Sequence, residues 1–356
     1  MAEPEHLVTV AFYVLCTFLL LRAAAPIASR QRVVLAAYHT AFQLVRRGHW
    51  RGALVLFRWA GRQYDLPTWK VAIEACVANT RMVGGSGLTA AQVRSMLDLL
   101  APATDPEEVV AEVANTAVNS FVALGAYAEA LAVGERWDAA VWERLRSATP
   151  DGVKLIDLNK VEALYNTGDW AGSLVRLDRL QLPLDASALL HSGWRQQRAW
   201  ILAALGRVAE AKAELAGAVV ADVGPLYASE HHYTHAAVRL AAGDLEGARA
   251  ATRTGKRLAL RAASRRNAEV LLARIAAATG DDIHAEALCA RAARMVTPGQ
   301  AGDNLLLWGT ILARLGRDAE ARAAWAAAIE NDGESEAAAF ARERLGGGGE
   351  VTTCRI

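Results

Sequence analysis

Cysteine is scarce in this 356-residue chain, and the four present, Cys16, Cys76, Cys289 and Cys354, stand far apart. No CxxC pair occurs, which argues against a disulfide framework and a zinc knuckle. Scattered free thiols in apolar settings fit a reducing compartment. Aromatic residues make up only 6% although hydrophobic residues reach 53%, so the apolar content is mostly Ala, Leu and Val. That composition favours helices. Proline is sparse, and no Ser/Gln/Glu-rich stretch marks a long disordered region. An excess charge of one sign is missing too: the net charge is +1, so no global field points to nucleic acid. The chain also lacks a nucleophile elbow, a phosphate loop and a dinucleotide glycine motif. "GGSG" at 84–87 reads as a turn, and "TGKR" at 254–257 lacks the upstream glycine of a phosphate loop. Neither catalysis nor a cofactor is implied.

One long uncharged run is present, "LVTVAFYVLCTFLLL" from Leu7 to Leu21. Fifteen helical residues span about 22 Å, short of the roughly 30 Å hydrocarbon core. Extension to Ala25, with Arg22 snorkelling, gives about 28 Å. Pro26 then ends the helix. The reading is a transmembrane helix over 7–25, after a short tail at 1–6 and before a basic linker at 26–33. A cleaved signal and a buried soluble helix are the alternatives, and the first needs a basic n-region that "MAEPEH" lacks. Arg22, Arg30 and Arg32 follow the run and no Lys or Arg precedes it, so the positive-inside rule places the rest of the chain in the cytoplasm. From residue 22 to 70 there are nine basic residues and one acidic one, Asp65; from 98 to 143 there are nine acidic residues against Arg136.

The chief content of the sequence is repetition. Gly168, Gly206, Gly243, Gly280 and Gly316 are spaced 38, 37, 37 and 36 apart. Gly125 precedes Gly168 by 43, and Gly48 precedes Gly125 by 77, or two periods, with Gly85 or Gly87 fitting the gap. Small residues stand five after each of the seven clear glycines: Ala53, Ala130, Ser173, Ala211, Ala248, Ala285 and Ala321. Most residues twelve after and seven before are small as well, among them Ala60, Gly255 and Ala328 after, Ala199, Ala236 and Gly309 before. A helical hairpin accounts for this pattern. The glycine ends the first helix in a left-handed cap, and small residues on both helices let the backbones approach. Large residues nine after the glycine, such as Phe57, Leu215 and Trp325, are expected to reach toward the next hairpin.

This pattern resembles the tetratricopeptide repeat. In residues 304–333, Trp308-Gly309, Leu312, Ala321, Trp325 and Ala328 fall on the family's signature spacings. The resemblance covers residues 34–333 and is weak at 67–104, a divergent unit. It implies an all-α, right-handed α-solenoid of about eight helical hairpins. "ESEAAAFARERL", 334–345, reads as a capping helix, and 346–356 as a flexible tail.

The resemblance also implies a function, the binding of a protein or peptide partner on the concave face lined by the first helices. By position, that face carries Asn115, Asn119, Asn159, Glu162, Tyr165, Trp200, Tyr233 and Arg274. Asn119 and Asn159 match the two asparagines of the family's carboxylate-clamp type. Asn115 stands where a lysine is expected, and Gly193 and Gln197 replace the other two clamp residues, so extended-backbone recognition is the expectation rather than a carboxylate grip. Arg249, Arg253, Arg257, Arg261 and Arg265, each four apart, are expected to form a drifting basic stripe, with a turn near 262–264. In "SEHHYTHAA", His231 and His235 are spaced to face one metal ion, but two ligands fall short of a structural or catalytic site, and no metal is assigned. The expectation is a membrane-tethered scaffold or assembly factor; the alternatives are a repeat protein released after signal cleavage and a metal-dependent protein using the His231/His235 cluster.

Overall fold

The computed structural model describes residues 88–135, 137–180, 182, 186–218, 220–295 and 301–346, together with 49–63 and separate turns between 36 and 77. The described residues form α1 (Trp50–Gln63), α2 (Ala90–Asp98), α3 (Glu107–Ala123), α4 (Tyr127–Ala132), α5 (Ala139–Ala148), α6 (Pro150–Asn166), α7 (Trp170–Arg179) and α8 (Ala188–Ala204). They continue with α9 (Val208–Ala216), α10 (Val220–Ala241), α11 (Leu245–Leu258), α12 (Ala262–Ala278), α13 (Asp282–Ala293), α14 (Gly302–Arg314), α15 (Asp318–Asn331) and α16 (Glu336–Leu345). Neighbouring helices pack in pairs, and the pairs stack into an all-α solenoid, with no strand among the described residues.

The repeat glycines are the turns. Gly125, Gly168, Gly206, Gly243, Gly280 and Gly316 all have φ between 73° and 89°. Each makes the same two hydrogen bonds: at Gly243 the glycine N–H donates to Leu240 O at 3.0 Å and the Asp244 N–H to Arg239 O at 2.9 Å. This is the Schellman closure of a helix end, which needs a left-handed residue at that point. Gly48, Gly85 and Gly87 lie outside the described residues.

The small residues are where the helices touch. Ala53, Ala130, Ser173, Ala211, Ala248, Ala285 and Ala321 are all fully buried. A Cβ on Gly309 would lie 2.5 Å from Trp325 Cδ1 and 3.0 Å from Ala321 O. One on Gly255 would lie 2.5 Å from Tyr233 Cε1. Trp325 meets the following helix and also packs within its own hairpin. It folds back onto Gly309 of its own hairpin while sharing an apolar cluster with Ala337 and Ala341 of α16.

The interval of 43 has a local cause. The second helix of the Gly125 hairpin, α4, stops at Ala132; Gly134 turns at φ 77°, and α5 is an added helix before α6. The Lys160 ammonium on α6 is buried and donates to Leu131 O at 2.8 Å and Val133 O at 2.6 Å, satisfying carbonyls that the short helix leaves open. Trp137, twelve after the glycine, therefore lies beyond the helix end rather than at a small-residue contact.

The stack also returns on itself. The corner between α15 and α16, residues 332–336, meets the hairpins led by Gly125 and Gly168. The Tyr127 hydroxyl donates to Asp332 Oδ2 at 3.1 Å, the Ala128 N–H to Glu334 Oε2 at 2.9 Å, and the Trp170 indole N–H to Glu336 Oε2 at 3.1 Å.

The single-pass membrane placement expected from the sequence is corrected: among the described residues no helix is long and apolar enough to cross a membrane. The run at 7–25, its flanking segments and the tail beyond 346 lie outside the described residues.

Candidate functional site

The first helices α3, α6 and α8 carry the residues predicted for the inner face. Glycine caps end these helices, so their lengths, and hence the register of one against the next, are set by the repeat. Asn115 on α3 and Asn159 on α6 come together: the Asn159 amide donates to Asn115 Oδ1 at 2.8 Å. Both are half-buried, as is Asn119 one turn along α3. Glu162 and Tyr165 follow one turn apart on α6, also half-buried. Burial pushes the Glu162 carboxyl up; the Arg261 guanidinium opposes this and the Glu230 carboxylate adds to it. Burial, with Glu162 beside it, raises Tyr165 well above the usual phenol range.

Tyr165 stacks on Trp170, with ring centroids 5.5 Å apart and planes 13° from parallel. Trp170 is the residue held by Glu336. Tyr165, Trp170 and Glu336 thus form one chain of contacts from α6 to the C-terminal corner. Trp200 on α8 is half-buried against the apolar cluster of Trp170, Leu174, Leu177 and Leu202.

Other predicted residues sit elsewhere. Tyr233 is buried inside its own hairpin, against Gly255. Arg274 pairs with Asp303 of the next hairpin at 3.4 Å. The five arginines do not share a helix. Arg249, Arg253 and Arg257 are on α11, Arg261 stands in the turn and Arg265 opens α12. The helix break falls at 259–261, before the expected turn at 262–264. Arg261 turns inward, pairs with Glu230 and lies over the Tyr227 ring at 5.1 Å, so the stripe is interrupted at its fourth member. Arg249 pairs with Glu246 at 3.4 Å.

His231 and His235 do converge, with their Nε2 atoms 3.2 Å apart. Burial, with His235 and His232 beside it, pushes the His231 imidazole down to about 4. Among the described residues no group of three His, Cys, Asp or Glu side chains is placed to hold a metal ion.

Sequence reasoning missed the corner. Two signals were present. An aromatic residue stands two after the glycine in three hairpins, Trp50, Tyr127 and Trp170, where later units have Val208, Leu245, Asp282 and Asp318. Acidic residues alternate at Asp332, Glu334 and Glu336.

No family model and no curated protein matches the chain. Among solved structures, the chain is similar to the hetero-tetramer Cut9–Hcn1 of the APC/C, at 15% identity and a TM-score of 0.49, over 88% of this chain and 65% of that one. It thus spans less than two thirds of that chain. It is also similar to the TPR domain of P58(IPK) and to yeast Tom70, each at 11% identity and a TM-score of 0.28 over 88% of this chain, and over 97% and 96% of theirs. With TM-scores below 0.5, these likenesses transfer no residue role. The repeated glycine closures, the small-residue contacts between paired helices and the stacking of successive pairs make the chain an α-solenoid of helical hairpins, the fold that its resemblance to the tetratricopeptide repeat implies.

Proposed function

We propose that the chain is a scaffold that binds a protein partner as an extended peptide on the inner face of α3, α6 and α8. The observation that carries this reading is the row of half-buried polar and aromatic side chains on successive first helices, Asn115, Asn119, Asn159, Glu162, Tyr165 and Trp200. Amide side chains offer both a donor and an acceptor, the complement of a peptide backbone. Tyr and Trp combine apolar area with a polar tip, which suits binding hot spots. Repeat solenoids present such surfaces because each hairpin adds one element to a continuous face. The Asn115–Asn159 bond at 2.8 Å holds the two amides until a ligand replaces it. This reading assigns no reaction and no cofactor.

The test is a capture experiment with cross-linking. The full chain is compared with a variant carrying Asn115→Ala, Asn119→Ala and Asn159→Ala. We expect a partner whose cross-links map to α3, α6 and α8 and whose capture drops at least tenfold in the variant, with unchanged helicity by circular dichroism. A partner retained by the variant, or cross-linked only to the outer helices, would place binding elsewhere and overturn the reading.

A further inference from the structure

We propose that the acidic corner at 332–336 is an intramolecular latch that closes the solenoid over the inner face of α6 and opens to admit a partner. The proposal rests on the binding surface argued above, and it adds a gate to that surface.

Three observations carry it. First, the contact is between distant parts of the chain: the residues joined are 205, 206 and 166 positions apart. A solenoid in which each repeat meets only its neighbours has no need of such a contact. Second, its chemistry differs from that of the stack. Adjacent hairpins join through apolar clusters, as Ala273, Ala276 and Leu288 do with Ile311. Among the described residues no apolar cluster joins the corner to the Gly125 or Gly168 hairpins. The closure is made by a phenol, a backbone N–H and an indole N–H donating to three carboxylates. Water replaces such bonds when a face opens, whereas it cannot replace buried apolar area. Third, the corner connects to the inner face. Glu336 holds Trp170, and Trp170 stacks on Tyr165, one turn from Glu162 on α6.

Asp332 adds a bias toward opening. Only 6% of it is exposed, and burial with Asp303 and Glu334 nearby pushes its carboxyl up to about 7. Opening releases that carboxyl to water.

Hydroxyl-radical footprinting of the full chain tests the latch without any partner. The variant is Glu334→Ala with Glu336→Ala, which removes both acceptors. We expect labelling of Tyr127, Tyr165 and Trp170 to rise severalfold, while Tyr233, buried within its own hairpin, stays protected. Unchanged labelling at Tyr165 and Trp170 would overturn the latch, because the inner face would then be as open in the wild type. The single variant Glu336→Ala guards against general unfolding. If Tyr233 labelling rises with the others even there, the closure is part of the fold and not a latch. The capture experiment above succeeds or fails independently of either result.

Discussion

At the scale of the residue, glycine serves two different purposes here, and substitutions separate them. Gly243 has φ 76° and open space around its missing Cβ. Gly243→Ala therefore meets backbone strain alone, about 1–2 kcal/mol. Gly309 lies inside α14, where a Cβ would stand 2.5 Å from Trp325 Cδ1. Gly309→Ala meets overpacking, about 1–3 kcal/mol. Urea denaturation of both, each alone and combined with Trp325→Leu, tells them apart. We expect the Gly309 and Trp325 changes to couple, with the smaller residue recovering part of the loss, and the Gly243 and Trp325 changes to add. Additive behaviour in both pairs would refute the packing account of Gly309. The smallness of these positions was legible in the sequence. Which aromatic ring filled the space was not, because one spacing serves contacts within a hairpin and between hairpins alike.

At the scale of the element, the repeated turn has two solutions for starting its second helix. In three units an aspartate follows the glycine and caps the helix: Asp169 accepts from Gly172 N at 2.8 Å, Asp244 from Gly247 N at 2.9 Å and Asp281 from His284 N at 3.1 Å. In two units an arginine follows, and Arg207 and Arg317 each grip the glutamate three residues on, Glu210 and Glu320, through two bonds of 2.6 and 2.7 Å. Asp281→Ala is expected to lower stability by about 1 kcal/mol, the usual worth of a side-chain cap. Arg317→Ala is expected to cost less and to lose its effect in high salt, because exposed ion pairs are screened. Thermal denaturation at two salt concentrations checks both; an Asp281→Ala variant as stable as the wild type would remove the capping role. The helix periods and glycine turns could be read in advance because they depend on residues a few positions apart. The extra helix α5 and the early end of α4 could not, since the buried Lys160 that donates to the open carbonyls at that end lies 29 residues from Leu131 and 27 from Val133.

At the scale of the whole molecule, the closure has a pH signature. Asp332 titrates near 7 in the folded chain against 3.8 when free, facing Tyr127, Asp303, Glu334 and Arg266. A raised carboxyl favours the folded state while both states are protonated, so its contribution is complete below 3.8 and is lost as pH rises through about 7. Asp332→Asn stays neutral throughout. The wild type is therefore expected to lose stability relative to Asp332→Asn as pH rises from about 4 to about 7, measured as the difference in Tm. The depressed histidines at 231 and 235 are common to both proteins and cancel in that difference. Parallel Tm curves across this range would show that Asp332 does not hold its proton at the closure.

The sequence by itself determined the repeat, the helical class, the turns at Gly125, Gly168, Gly206, Gly243, Gly280 and Gly316, and the small faces on which paired helices meet. These follow from local rules: a glycine for a left-handed residue, a period for a buried stripe. Tertiary structure alone decided that Arg261 turns inward to Glu230, that Tyr233 belongs to a hairpin core, and that the corner at 332–336 returns to Tyr127 and Trp170. The corner contact joins residues 166 to 206 positions apart, so no single stretch of sequence encodes it.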